Sequence, residues 1–389
     1  MINIFLLGIT SMLTDFSSEM IVPILPFFIQ SVGGGGIAIG LIFGIGDAVA
    51  ALMKVASGYL ADRTKWYKRM VIAGYALSSV VKFAYVGASS WLQIAWVRPV
   101  ERIGKGLRDA PRDAIISDAV DAPRRGRAFG VQRAMDSAGA MFGSIAVLVL
   151  FVILEVPLRS IFIASAWVGL AAIIPLIFVR VSDSLRLTRR AVSLRKLTPK
   201  VRQFLSIATL FALANFSVVF FIMIGQAAFD GTSAKSALAM TLAAYIIYKF
   251  VETVLSAPAG VLSDKFGRRH TIVVGYLIFA LVCLGFWYKS TLVMSQSGNF
   301  VVLVVLFALY GVFSAFIDAA QRAFISDLSP IEIRGTALGA FETLIGVAAI
   351  PAGLMAGWLW NMNHSYPFLY GAVTSLIAAV MLISALRKR

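Results

Sequence analysis

Gly58-Tyr59-Leu60-Ala61-Asp62-Arg63 returns later in the chain as Gly260-Val261-Leu262-Ser263-Asp264-Lys265. Each copy closes an apolar stretch long enough to cross a bilayer. Outward from this pair, further matches fall in the same order. Asp15-Phe16-Ser17 aligns with Asn215-Phe216-Ser217, Gly74-Tyr75 with Gly275-Tyr276, and Ala114-Ile115-Ile116-Ser117-Asp118 with Ala323-Phe324-Ile325-Ser326-Asp327. Arg125-Gly126 and Gly130 match Arg334-Gly335 and Gly339, and the offset stays near 200 before rising to 209 after the longer loop around Ser290–Asn299. Ordered matches of this kind indicate a duplication. A parallel repeat of six spans each implies two bundles related by an axis along the membrane normal, with a site between them.

The composition agrees with an integral membrane protein. Of 389 residues, 59% are hydrophobic and 14% charged, against about 25% charged in soluble domains. Twelve spans are expected, near 4–31, 38–62, 69–88, 91–119, 127–155, 158–180, 202–229, 236–264, 271–288, 300–328, 335–360 and 365–386. Membrane β-strands would be about half as long and alternate in polarity, and these segments do neither. The net charge of +16 falls in alternate loops and so reads as topology, not nucleic-acid binding. One set of loops holds Arg63, Lys65, Lys68, Arg69, Arg124, Arg125, Arg127, the segment Arg180–Arg202, Lys265, Arg268, Arg269, Arg334 and the tail Arg387-Lys388-Arg389. The opposite set holds Arg159, Lys235 and Lys289. The first set is expected in the cytoplasm, with both termini, in a cytoplasmic or inner membrane.

The division expected is an N-terminal six-helix bundle over 1–180, a basic cytoplasmic linker over 181–201 that suits an amphipathic surface helix, and a C-terminal bundle over 202–389. The first Lys or Arg is Lys54, so no basic region precedes the first span and a cleavable signal is not expected. Cys283 is the single cysteine, and His270 and His364 are the two histidines. No disulfide within the chain, no metal site and no cofactor are expected, and no phosphate-binding loop or HExxH stretch is present.

Span 4 carries the chemistry. Arg98, Glu101, Arg102, Lys105, Arg108, Asp109, Arg112 and Asp113 stand within RPVERIGKGLRDAPRD. At about 100° per residue, with Lys105 at zero, they fall between roughly −60° and +80°. Charge on one side of a membrane helix must face water, a cavity or other charges. A solute path and a salt-bridged gate both satisfy this, and eight groups exceed what a gate requires. Gly104 and Gly106 allow close approach to the backbone, and Pro99 and Pro111 are expected to bend the helix.

With these residues in view, the chain resembles the major facilitator superfamily over all twelve spans. The family's loop pattern G-x-x-x-D-[RK]-x-G-[RK]-[RK] is met in full by Gly260, Asp264, Lys265, Gly267, Arg268 and Arg269. The first copy has Gly58, Asp62 and Arg63, then lacks the turn glycine and carries two extra residues before Lys68-Arg69. Arg102-Ile103-Gly104-Lys105-Gly106 is similar to the family's R-x-x-Q-G, with Lys105 in place of Gln. The resemblance implies an all-α fold of two pseudo-symmetric six-helix bundles working by alternating access, with no enzymatic activity. It implies gating roles for Asp62, Arg63, Asp264 and Arg268, with Asp118 and Asp327 as partners. The fifth span lacks the G-P-x-x-G-G run of drug/proton antiporters, and Gly139 and Gly143 read instead as helix packing.

The expected function is transport of a small anionic or zwitterionic solute, or an anionic metal chelate, driven by protons or another coupling ion, by a monomer in the bilayer. Arg102, Lys105, Arg108 and Arg112 are the expected anion contacts, because guanidinium suits carboxylate and phosphate. Asn215, Tyr245 and Tyr248 join them, while Phe216, Phe220 and Trp96 are read as lining or packing. Asp15 and Glu19, one turn apart in span 1, with Asp136 and Glu252, are the proton-carrying candidates. Local pairs are expected for Asp47 with Lys54, Lys249 with Glu252, and Asp318 with Arg322, and Lys82 is expected to snorkel outward. Arg133 and Asp136 could join the span 4 charges, and Glu342 stands in span 11. An exporter of cationic or amphipathic compounds is the alternative, with Asp15, Glu19 and Glu252 as cation partners. A membrane-embedded lipid-modifying enzyme is the remote one.

Overall fold

The computed structural model describes residues 2–120, 125–180, 197–229, 231–289, 295–330 and 333–385. Most of the basic linker, Arg124, the start of the loop at Ser290 and the tail Arg387-Lys388-Arg389 lie outside the described residues, as do the side chains of Arg125 and Arg127. Among the described residues the chain is all helix and turn. It forms two compact units, Met1–Ala38 with Ile45–Arg189, and Ile39–Gly44 with Arg190–Arg389.

The first unit runs α1 (Ile2–Glu19), α2 (Leu25–Ser31), α3 (Gly36–Thr64), α4 (Tyr67–Val81) with a 3-10 turn at Lys82–Tyr85, and α5 (Trp91–Asp118). It continues with α6 (Arg125–Leu148), a π-turn at Val149–Ile153, α7 (Leu158–Ala171) and α8 (Ile174–Ile177). The second runs α9 (Pro199–Ala214), α10 (Val219–Ala227), α11 (Ala234–Phe266), α12 (Arg268–Lys289), α13 (Gln296–Leu328), α14 (Arg334–Met362) and α15 (Tyr366–Ala385). Four helices begin on a hydroxyl that accepts a first-turn N–H: Ser90, Thr198, Ser233 and Ser295. Such caps satisfy donors that the helix cannot.

Among the described residues nine stretches are long and apolar enough to cross a membrane. Span 1 and the helices α4 and α5 fall outside that set for physical reasons. In span 1, α1 has 18 residues and includes Asp15, Glu19 and a series of hydroxyls, α4 is 15 residues long, and α5 carries the charge stripe. Trp96, Phe142, Trp167, Phe250 and Trp358 are large apolar side chains exposed on the surface, as helices surrounded by lipid allow.

The first span of each half is broken. Between α1 and α2 stands Pro23, which has no N–H to return to the carbonyl of Glu19. Between α9 and α10, Asn215 takes φ −84° and ψ 66°, and Phe216 N–H reaches back to Ala214 O at 3.0 Å, an inverse γ-turn. Both breaks free backbone groups within a span, which helices in contact with lipid alone do not tolerate.

Within the first unit α1 packs on α6, α4 on α5, and α7 against both α1 and α4. Glycines set the closest contacts. A Cβ on Gly139 would collide with the carbonyl of Met12 and lie 2.9 Å from its Cα, and one on Gly143 would do the same at Phe16. The G-x-x-x-G of α6 is therefore the seat of α1. In the second unit α11 packs on α13, and α12 on α13 and α15. Its core is aromatic: Phe211 stacks on Tyr276 with ring centroids 3.9 Å apart, and Phe216, Phe221, Phe279, Phe286 and Phe368 continue the cluster.

Gly139→Leu should destabilise the purified protein by about 1–3 kcal/mol through overpacking. Gly130→Ala, where an added Cβ meets nothing within 4 Å, should leave the thermal midpoint unchanged or slightly raised. Thermal unfolding of the two variants in one detergent checks this.

Candidate functional site: the charged face of α5

The fourth span runs as one continuous helix through Pro99 and Pro111. Two of its glycines decide what it touches. A Cβ on Gly74 of α4 would lie 2.6 Å from Gly104 O, and a Cβ on Gly106 would lie 2.6 Å from Met53 Cβ of α3. Ser57 of α3 donates to Gly106 O at 2.8 Å. Helix α5 is thus pressed between α4 and α3, and its charges divide between those neighbours. Arg98, Glu101 and Arg108 are buried, whereas Arg102, Lys105, Asp109, Arg112 and Asp113 keep partial exposure.

Each arginine faces a carboxylate. Arg98 meets Glu101 at 2.8 Å, both side chains 5% exposed, and Tyr85 donates to the same carboxylate at 2.7 Å. Arg102 pairs with Asp47 of α3, Arg108 lies 3.9 Å from Asp109, and Arg112 lies 3.1 Å from Asp113. Hydroxyls and a ring complete the set. Arg108 donates to Ser78 at 2.7 Å and sits 4.4 Å above the ring of Tyr75. Arg112 donates to Ser11 at 2.9 Å, and Ser11 and the Tyr75 hydroxyl are 2.9 Å apart. Among the described residues Lys105 has no carboxylate at ion-pair distance. The strongest charge acting on it is that of Arg102, whose buried Nε has no acceptor.

Two expectations are corrected here. Asp47 does not pair along its own helix with Lys54. It reaches Arg102, because α5 comes up against α3 at Gly106. Lys54 acts on Asp109 instead. Lys82 does not snorkel. It is fully buried and donates to Ser17 at 2.6 Å and Ser18 at 3.3 Å, since hydroxyls on α1 and the nearby charges of Glu101 and Asp15 satisfy it inside the unit.

Asp15 of α1 and Asp136 of α6 act on each other, with Arg112 and Arg133 as the cations beside Asp136. Gln132 donates to Asp136 at 2.9 Å. The charges of spans 4 and 5 therefore form one electrostatic group with Asp15. Glu19 stands at the end of α1, where the span breaks.

In the second unit Asn215 is exposed in the break, and Tyr245 and Tyr248 are buried. Tyr245 packs on Phe307 and Tyr248 on Tyr310. Phe216 and Phe220 are buried in the aromatic core, whereas Trp96 of the first unit is 77% exposed. Lys249 and Glu252 do pair, at 3.5 Å. The pair expected between Asp318 and Arg322 is corrected: Arg322 meets Glu342 at 3.0 Å, because that carboxylate reaches it from the neighbouring helix α14.

The two loop copies differ. In the second, Arg268 bridges Asp264 at 3.3 Å and Asp327 at 3.0 Å, and Gly267 turns the chain at φ 89°. In the first, Lys65 stands at the glycine's place in the repeat and takes φ 62°. The inserted Tyr67 donates to Asp62 at 2.9 Å, while Arg63 and Asp118 are exposed. Basic residues of both loops hold a later helix end: Lys68 donates to Ile177 O and Val179 O at 3.0 and 2.7 Å, and Arg269 to Ile383 O at 2.5 Å. The sequence reading passed over Ser11, Ser17, Tyr75, Ser78 and Tyr85, which hold the charges.

A helical membrane protein with an internal repeat and a charged helix at the heart of one half is a multi-pass solute transporter in its architecture. The chain matches the Major Facilitator Superfamily over residues 7–247 and again over 205–389. It is 40% identical to an uncharacterised MFS-type transporter of Methanocaldococcus jannaschii over 98% of this chain and 94% of that protein. It is 22% identical to the multidrug resistance protein MdtH of Salmonella arizonae, over 93% of this chain and 87% of that protein. A crystal structure of the nucleoside transporter NupG superposes with a TM-score of 0.84 at 15% identity, covering 99% of this chain and 100% of the other. The chain belongs to the Major Facilitator Superfamily, and it is a membrane transporter and not an enzyme.

Breaking the buried pair should cost most. Glu101→Gln leaves Arg98 uncompensated and should lower stability by about 3–5 kcal/mol. Asp47→Asn, at a carboxylate 46% exposed, should cost about 1 kcal/mol or less. Thermal midpoints of the two variants check the ranking.

Proposed function

We propose that the chain moves a small anionic or zwitterionic solute by alternating access, with the solute's negative group held by Lys105 and Arg102. One observation carries the reading. Among the described residues the four arginines of α5 have carboxylates at ion-pair distance and Lys105 has none, and Lys105 stands beside Arg102, whose buried Nε, like those of Arg98 and Arg108, lacks an acceptor. Two cations this close call for an anion between them, and the group an Arg–Lys pair fits is a carboxylate or phosphate. Asp47 is the internal anion that the solute would displace from Arg102. This reading narrows the contacts: Arg108, seated on Tyr75 and Ser78, positions the helix, and Arg112 ties it to α1.

Proton coupling is assigned to Asp15 and Asp136. The two carboxylates act on each other, and Arg112 beside them links their charge to the stripe. Asp264, Arg268 and Asp327 serve as a cytoplasmic latch in the second half, and Asp62 with Tyr67 in the first. Six-helix bundles over 1–180 and 202–389, with both termini cytoplasmic in an inner membrane, complete the proposal. The similarity to a multidrug resistance protein supports the alternative of a drug exporter, in which Asp15, Glu19 and Glu252 would meet a cationic or amphipathic cargo directly.

Lys105→Gln should weaken binding of the transported anion about tenfold or more, as expected for a lost charged hydrogen bond, with little change in stability. Tryptophan fluorescence titration with carboxylate and phosphate solutes measures this, and unchanged affinity contradicts the contact. Asp136→Asn should flatten the pH dependence of uptake into proteoliposomes while leaving anion binding intact. A pH profile that persists in the variant rules out this coupling group.

A further inference from the structure

The second unit holds a cluster that the α5 reading does not use. Lys249 Nζ lies 4.8 Å from the ring centroid of Tyr248, 5.7 Å from that of Tyr245 and 3.5 Å from Glu252 Oε2. The other oxygen of Glu252 accepts from Ser314 of α13 at 2.6 Å. The rings are fixed by their neighbours: Tyr245 and Tyr248 meet edge to face at 5.4 Å, and Tyr248 meets Tyr310 at 4.9 Å. Gly311 brings the two helices together, since a Cβ there would lie 2.8 Å from Tyr248 O.

A surface pair three residues apart needs none of this. Here two ring faces and one carboxylate surround a single ammonium, and a hydroxyl from a second helix holds that carboxylate by its other oxygen. Ring faces with a carboxylate are the chemistry that recognises organic cations. The side chains of Lys249 and Glu252 are 13% and 15% exposed, so the place is enclosed yet reachable. We propose that Tyr245, Tyr248, Glu252 and Ser314 form a binding site for a primary ammonium group, and that the chain's own Lys249 fills it as a tethered occupant. A small alkylammonium ion takes that place when the tether is removed. The proposal stands apart from the anion contacts on α5, because it concerns different residues in the other unit and is read by binding, not transport.

The test uses the purified full-length protein, thermal unfolding, and ethylammonium chloride against sodium chloride at equal ionic strength. Lys249→Ala should unfold at a lower temperature than wild type, and ethylammonium in the millimolar range should restore part of the loss. Wild type and the double variant Lys249→Ala with Glu252→Gln should not respond. Adding Tyr248→Leu to Lys249→Ala should weaken the response about fivefold. Lys249→Met, which keeps an apolar stem over the rings, serves in the same way should the alanine variant fail to fold. The proposal is overturned by the absence of an ethylammonium response in the foldable variant, or by an equal response in the Glu252→Gln background. Failure here leaves the Lys105 titration untouched, and the reverse also holds.

Discussion

A guanidinium inside a membrane protein has to meet a carboxylate, a hydroxyl or a ring, and the first unit is arranged around that constraint. Four arginines stand on α5, and each has its acid: Arg98 with Glu101, Arg102 with Asp47, Arg108 with Asp109, Arg112 with Asp113. Three of the four acids come from α5 itself, so most of the compensation is built into one helix. The fourth comes from α3, and it is the pair with the greater exposure. Removing either member of a buried pair strands the other, whereas a half-exposed pair can exchange partners with a solute at small cost. Lys105 stands on that exchangeable side.

The two halves share a plan and fill it differently. The first keeps its charges at the centre, and the second fills the corresponding volume with stacked aromatic rings. The breaks in span 1 and span 7 recur, one made by Pro23 and the other by a tight turn at Asn215. Asp15 in one copy is Asn215 in the other, so the acidic group near Asp136 has no counterpart. The loop glycine survives as Gly267, while Lys65 takes up the left-handed conformation that glycine adopts at no steric cost. A duplicated scaffold with unlike centres suits a transporter whose halves have separate tasks.

Much of this was legible in the sequence. The run of spans followed from apolar length, and Gly139 with Gly143 read as helix packing, while the structure alone named α1 as the helix seated there. The concentration of charge in the first half was visible in α5 alone. Partner choice was not. Asp47 with Lys54, and Asp318 with Arg322, were reasonable at helical spacing, but helix-to-helix approach decides pairing once glycines let two backbones close. Lys82 misled because its burial depends on Ser17 and Ser18, some sixty residues earlier in the chain. Serines inside apolar spans carry little pattern of their own, so the hydroxyl partners emerged only from the structure.

The most direct test of the account is the thermal stability of the wild-type protein against a panel of solutes sorted by charge: carboxylates, phosphates, metal chelates and organic cations. Stabilisation by one class of anion, and none by the cations, is the predicted result, since among the described residues Lys105 has no carboxylate at ion-pair distance and Arg102 holds its own in a half-exposed, exchangeable pair. Stabilisation by organic cations alone would contradict it and make the face of α5 an internal brace.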